Sequence, residues 1–84
     1  MREYINAIPT GYSLAYFQKK KYGLSKTIFN HGYSIKIYAE ELAGNDYISL
    51  NFYITRHREH LKPCEMPVQK VIKFLKEINI ARCK

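Results

Sequence analysis

The sequence predicts an α+β domain: a two-layer fold in which an antiparallel β-meander of about four to five strands packs on one C-terminal amphipathic helix. Three observations predict it. Residues 33–40 and 47–55 alternate strictly between apolar and polar, as strands buried on one side only do. Turn-forming residues punctuate the chain at fairly even spacing, as in consecutive hairpins. Residues 67–80 then switch to a helical period.

Taken in order, residues 2–8 read as a short strand stopped by Pro9-Thr10-Gly11. Residues 12–18 alternate weakly and run into Lys19-Lys20-Lys21, expected at a hairpin tip. Residues 22–29 form the next strand, with β-branched Thr27 and Ile28 near its end. Asn30-His31-Gly32 supplies residues that tolerate positive φ, as a tight reversal requires.

The two clearest strands follow. In residues 33–40, Ile35, Ile37 and Ala39 share a face opposite Ser34, Lys36, Tyr38 and Glu40. Residues 42–46 make a turn. In residues 47–55, Ile48, Leu50, Phe52 and Ile54 oppose Tyr47, Ser49, Asn51, Tyr53 and Thr55. Residues 56–65 are polar, and Pro63 argues against a central strand there. Pro67 suits a first helical position, where its missing N–H costs nothing. Val68, Val71, Ile72, Leu75 and Ile78 make one apolar stripe, with Phe74 on its flank; Gln69, Lys70, Lys73, Lys76 and Glu77 face away. The stripe must cover the apolar side of the sheet, because neither surface has another partner in the chain.

Eighty-four residues, read as one domain, bury a modest core, about 60–65 % of the unfolded surface for a chain of this size. The 46 % apolar content excludes a disordered chain. No stretch approaches the ~20 apolar residues of a membrane span, and no signal-peptide core follows the N-terminal residues. A cytoplasmic location with no membrane partner is the expectation. Cys64 and Cys83 flank the helix, which at about 13 residues would span about 20 Å. That separation disfavours a disulfide between them, and two free thiols fit a reducing compartment.

Fourteen Lys and Arg against seven Asp and Glu leave a net charge of +7. A positive potential on so small a body attracts polyanions and acidic proteins. Eight Tyr, four Phe and no Trp suit a sheet with one wet face.

Chemistry-bearing patterns are few. Arg56, His57, Arg58, Glu59, His60 and Lys62 form the densest polar segment. His57, His60 and Cys64, with His31, offer four metal donors, but the spacing lacks the two tight pairs of a structural zinc site and three cations crowd it. No metal or other cofactor is expected. A metal-free nuclease is one alternative: His57 or His60 with Glu59 for acid–base work, and Arg56, Arg58 or Lys62 on the phosphorus. With no nucleophile elbow, phosphate loop or paired carboxylates, a non-enzymatic role is favoured.

The leading reading is a small basic module that binds nucleic acid or a nucleic-acid-handling complex. Tyr38, Tyr47 and Tyr53, with Lys36 and Asn51 among them, would form a stacking platform on the wet face. The expected partner-binding set is Lys19, Lys20, Lys21, Lys36, Tyr38, Tyr47, Asn51, Tyr53, Arg56, His57, Arg58, His60 and Lys62. A sequential meander would put Lys19–Lys21 at the same end as Glu40, Glu41 and Asp46, with the 56–62 segment at the other, splitting the basic character into two patches. The alternative class is a protein–protein regulator, of the inhibitor or immunity kind found in phage and plasmid systems, which meets an acidic protein partner. An open sheet also leaves two edge strands, so a homodimer through an edge or the sheet face is compatible with the pattern.

Overall fold

The computed structural model describes residues 2–81 and contains an antiparallel six-stranded meander covered on one face by helices. Strands β1 (Gly11–Phe17), β2 (Lys20–Phe29), β3 (Ser34–Glu41), β4 (Tyr47–Ile54) and β5 (Glu59–Pro63) pair in sequential order. After helix α2 (Val68–Glu77), strand β6 (Asn79–Ala81) returns to pair with β1, giving the order β5-β4-β3-β2-β1-β6. The shortest dimension of the Cα envelope is 17 Å, the thickness of one sheet and one helical layer. No helix among the described residues is long and apolar enough to cross a membrane.

The inward positions of the strands build the core: Ala15 and Phe17, Tyr22 and Leu24, Ile35, Ile37 and Ala39, then Ile48, Leu50 and Phe52. From α2, Val71, Phe74 and Leu75 close it. Phe74 stands at the centre, 5.0 Å from the Phe17 ring and 5.3 Å from the Tyr22 ring. The stripe is thus rotated from the expected one: Phe74 is buried rather than flanking, and Val68 is exposed.

Four further differences have physical causes. Residues 2–8 do not form a strand. Arg2–Asn6 is a short helix, α1, and Ile5 and Ile8, spaced i and i+3, both bury against the sheet. The ammonium of Lys26, only 5 % exposed, donates to the carbonyl oxygens of Ile5 and Ile8, both at 2.8 Å. Those acceptors lie in the last turn of α1 and just past its end, where helix carbonyls run short of backbone donors; Ile5 O accepts also from the Ile8 N–H at 3.2 Å.

Residues 59–63, expected as loop, form β5. Pro63 is tolerated because β5 is an edge strand and Pro63 is its last residue. The helix ends at Glu77 rather than residue 80, since Ile78 is already extended (φ −69, ψ 149). Its β-branched neighbour Ile80 and Asn79 pair with Ala15 and Tyr16, making the sixth strand. Finally, the first hairpin turns at Gln18 and Lys19, both with positive φ, while Lys20 and Lys21 belong to β2. Asn30, His31 and Gly32 take positive φ at the next reversal, as their residue types predict.

Candidate binding face of the sheet

With both helices on one side, the other face of the sheet carries no covering layer among the described residues. Strand pairing fixes which side chains stand together on it, because directly paired residues point to the same side. Four rows run across the strands. Phe29, Ser34, Tyr53 and His60 form the first; Thr27, Lys36, Asn51 and Lys62 the second. Tyr12, Ser25, Tyr38 and Ser49 form the third, and Leu14, Gly23, Glu40 and Tyr47 the fourth. Beyond them Tyr16 pairs with Lys21 on one side and Asn79 on the other.

The rings are accessible. Tyr12 is 67 % exposed, and Tyr16, Phe29, Tyr38, Tyr47 and Tyr53 all remain well exposed. Tyr38 and Tyr47 sit diagonally across β3 and β4, with ring centroids 6.3 Å apart. Gly23 leaves room for Tyr12: a Cβ there would meet the Tyr12 hydroxyl at 2.5 Å and a Leu42 methyl at 3.2 Å. The ring therefore lies back over the sheet rather than standing off it. Between the aromatic rows, Lys36, Asn51 and Lys62 occupy alternate polar positions of one cross-strand row, with Lys36 and Lys62 about 10 Å apart at ordinary strand spacing. Asn51 is oriented by donating through Nδ2 to Cys64 Sγ at 3.5 Å. Cys64 is a free thiol; its expected unbridged partner, Cys83, lies outside the described residues.

One end of the face is braced electrostatically. Asp46 accepts from the Tyr22 hydroxyl at 2.9 Å and from Lys70 Nζ at 2.7 Å. Those contacts, the Lys70 hydrogen bond foremost, hold its carboxyl below the usual carboxylate range. Burial first, and the hydrogen bond to Asp46 second, push the Tyr22 phenol well above its ordinary value. Lys70 Nζ also lies 5.9 Å from the Tyr47 ring centroid. Tyr47 is thus engaged by the domain itself more than Tyr12, Tyr38 or Tyr53 are.

The expected site residues divide into three groups. Lys21, Lys36, Tyr38, Tyr47, Asn51, Tyr53, His60 and Lys62 share the open face. Lys19 sits in the hairpin turn, and Lys20, paired with core residue Phe17, belongs to the helix-covered side. Arg56, His57 and Arg58 stand at the β4–β5 turn, where Thr55 N–H donates to the Arg58 carbonyl at 2.8 Å. Sequence reasoning missed Tyr12, Tyr16 and Phe29 as face residues. The alternation Tyr12, Leu14, Tyr16 against Ser13, Ala15, Phe17 carried the signal, but tyrosine suits either side of a half-buried strand.

The sequential order also puts the Lys19 turn at the end that carries the Glu41 and Asp46 turn, and Arg56–Arg58 at the opposite end, so the tips are separate. Lys36 and Lys62 stand on the face between them.

Glu59 and His60 are consecutive in β5 and point to opposite sides, and Glu59 pairs with Arg2 Nε at 2.9 Å. Among the described residues no three His, Cys, Asp or Glu side chains gather to hold a metal ion. No protein-family model matches the chain, and no curated protein or solved structure shows significant similarity to it.

Proposed function

We propose that this protein is a non-enzymatic module that holds single-stranded nucleic acid on the open face of its sheet. The observation that carries the reading is the pairing register, which sets exposed Tyr12, Tyr38 and Tyr53 on either side of the Lys36–Asn51–Lys62 row. Unpaired bases stack on aromatic rings with any sequence, at about 1–3 kcal/mol per base, while lysines between the rings follow the phosphates. Charge selects the partner class. The face bears Lys21, Lys36 and Lys62 against Glu40, so a polyanion is attracted. A second copy laid face to face would oppose like charges.

Binding of fluorescein-labelled oligo(dT) and oligo(U) followed by anisotropy across a salt series tests this. The expected result is a logarithmic affinity that falls linearly with the logarithm of salt, by about 0.7 per phosphate neutralised. Tyr38→Ala and Tyr53→Ala should each weaken binding about 5- to 150-fold, the range that 1–3 kcal/mol of stacking implies. Absence of binding at low salt, or affinity indifferent to salt, would overturn the proposal.

Phe29 and Leu42, exposed apolar side chains at opposite ends of the face, favour a second reading in which the same face meets an acidic protein. A stoichiometric protein captured from nuclease-treated lysate, and released by Phe29→Ser, would favour that reading over the first.

A further inference from the structure

Beyond the sheet face, at the end of the molecule formed by the β4–β5 turn, lies an open depression of about 450 Å³ lined by Arg2, Thr55, Arg56, His57, Arg58 and Glu59. Its lining comes from two distant parts of the chain, the first turn of α1 and the turn between two strands. Three arginines line it with one glutamate, and that carboxylate is already engaged: Arg2 Nε lies 2.9 Å from Glu59 Oε2. Among the described residues Arg56 and Arg58 have no carboxylate within ion-pair distance. Like charges lining one depression repel, and an anion bound among them offsets that repulsion.

From this juxtaposition we infer that the depression is a site for a phosphate monoester, the terminal phosphate of a strand whose bases lie on the sheet face. The inference rests on the function proposed above for its choice of ligand source. Charge and geometry favour a monoester. Three guanidiniums against one carboxylate leave two net positive charges, and a monoester carries about −1.5 to −2 where a backbone diester carries only one charge. Arginine forks suit the tetrahedral oxygens of phosphate, giving two parallel donors per side chain. The position lies next to an end of the face. The turn at residues 55–58 directly continues Tyr53 and His60, its last row, and a strand leaving that row rounds the β4–β5 turn to reach Arg2 and Glu59 on the helix-covered side.

The experiment is an NMR titration of the intact, isotope-labelled protein with inorganic phosphate, at constant ionic strength set by chloride. Saturable shifts confined to the amides of residues 55–59 and the Arg2, Arg56 and Arg58 side chains are expected. Arg56→Ala and Arg58→Ala should each weaken saturation at least fivefold. Glu59→Gln, which removes the competing carboxylate and frees Arg2, should strengthen it several-fold. Shifts spread evenly over the lysines, or unchanged affinity in all three variants, would overturn the site. Oligonucleotides of one sequence with phosphorylated and hydroxyl ends then distinguish the source. At least tenfold tighter binding of a phosphorylated end, lost in Arg58→Ala, supports the strand-end assignment; equal affinities of both ends overturn it. Should neither oligonucleotide bind while phosphate still saturates residues 55–59, the face reading fails and the strand-end assignment with it, leaving a site for free phosphate.

Discussion

Lys26 is the residue whose environment departs furthest from its chemical type. It lies on the core side of β2 and places an ammonium against the two carbonyls that end α1. Burial lowers its pKa from the ordinary 10.5. The native state therefore releases this proton at lower pH than the unfolded chain does. The cost of burying the charge is full at neutral pH and is relieved as pH rises from the lowered native value towards 10.5. Lys26→Met removes the donor to both carbonyls; Ile5 keeps the Ile8 N–H at 3.2 Å, but the Ile8 carbonyl loses its Lys26 hydrogen bond, which costs about 1–3 kcal/mol. Hydrogen exchange should report it as a local loss of protection around residues 5–8, larger than in β3 or β4; uniform protection would show that α1 does not depend on Lys26. Asp46 titrates with the opposite sign. Its lowered carboxyl pKa contributes stability that is present above the ordinary 3.8 and is lost as pH falls through the native value. Asp46→Asn should flatten the acid limb of stability below about pH 4, measured by urea unfolding at a series of pH values, with the neutral-pH midpoint also lowered. A variant as acid-sensitive as the parent would show that the Lys70 and Tyr22 contacts do not set the linkage.

At the scale of elements, the hairpins differ in how well their turn residues suit them. Asn30 and Gly32 belong to types that accept positive φ, but Gln18 and Lys19 do not, with φ of 51 and 66. A non-glycine residue held in the left-handed region costs about 1–2 kcal/mol. Replacing Gln18-Lys19 by Asn-Gly should raise stability by about 1–2 kcal/mol with an unchanged denaturant slope. No gain would mean that the β1–β2 strands, not the turn, hold this conformation. The same physics explains which elements could be read from the chain. β3 and β4 alternate strictly because each has one wet and one dry face, and both are found within a residue of their expected bounds. α1 is too short for its period to stand out: Ile5 and Ile8, at i and i+3, fit a helix, but a single such spacing in five residues does not exclude a short strand. Strand β6 was illegible because Ile78 and Ile80 continue an apolar run that local pattern assigns to α2. Only the open edge of β1 draws residues 79–81 out of the helix.

At the scale of the molecule, one ring stands at the centre of the contact between the two layers, with Val71 and Leu75 beside it. Phe74 of α2 rests on Phe17 of β1 and Tyr22 of β2. Phe74→Ala should cost about 3–5 kcal/mol, a large part of the ~5–15 kcal/mol that keeps a domain folded. Unfolding should then shift for the whole domain in one transition by circular dichroism and tyrosine fluorescence alike. Two separated transitions would show that sheet and helix layer are independent. The candidate face was half legible for a reason that operates at this scale. Alternation assigns Lys36, Tyr38, Asn51 and Tyr53 to the wet side of their own strands without reference to anything else. Adding Tyr12 and Phe29, or removing Lys20, needs the pairing register. Gathering Arg2 with Arg56 and Arg58 needs the fold itself, since no local rule links residues more than fifty positions apart in the chain. By itself, then, the sequence determined the two-layer basic domain, the wet tyrosine-bearing hairpin and the C-terminal helix, because periodicity records burial strand by strand and turn by turn. Tertiary structure alone decided the six-strand count, the N-terminal helix over Lys26 and the separation of the ring-and-lysine face from the guanidinium-lined end. Each of those depends on which distant surfaces meet, and a surface that is dry only because a remote segment covers it leaves no period of its own in the chain.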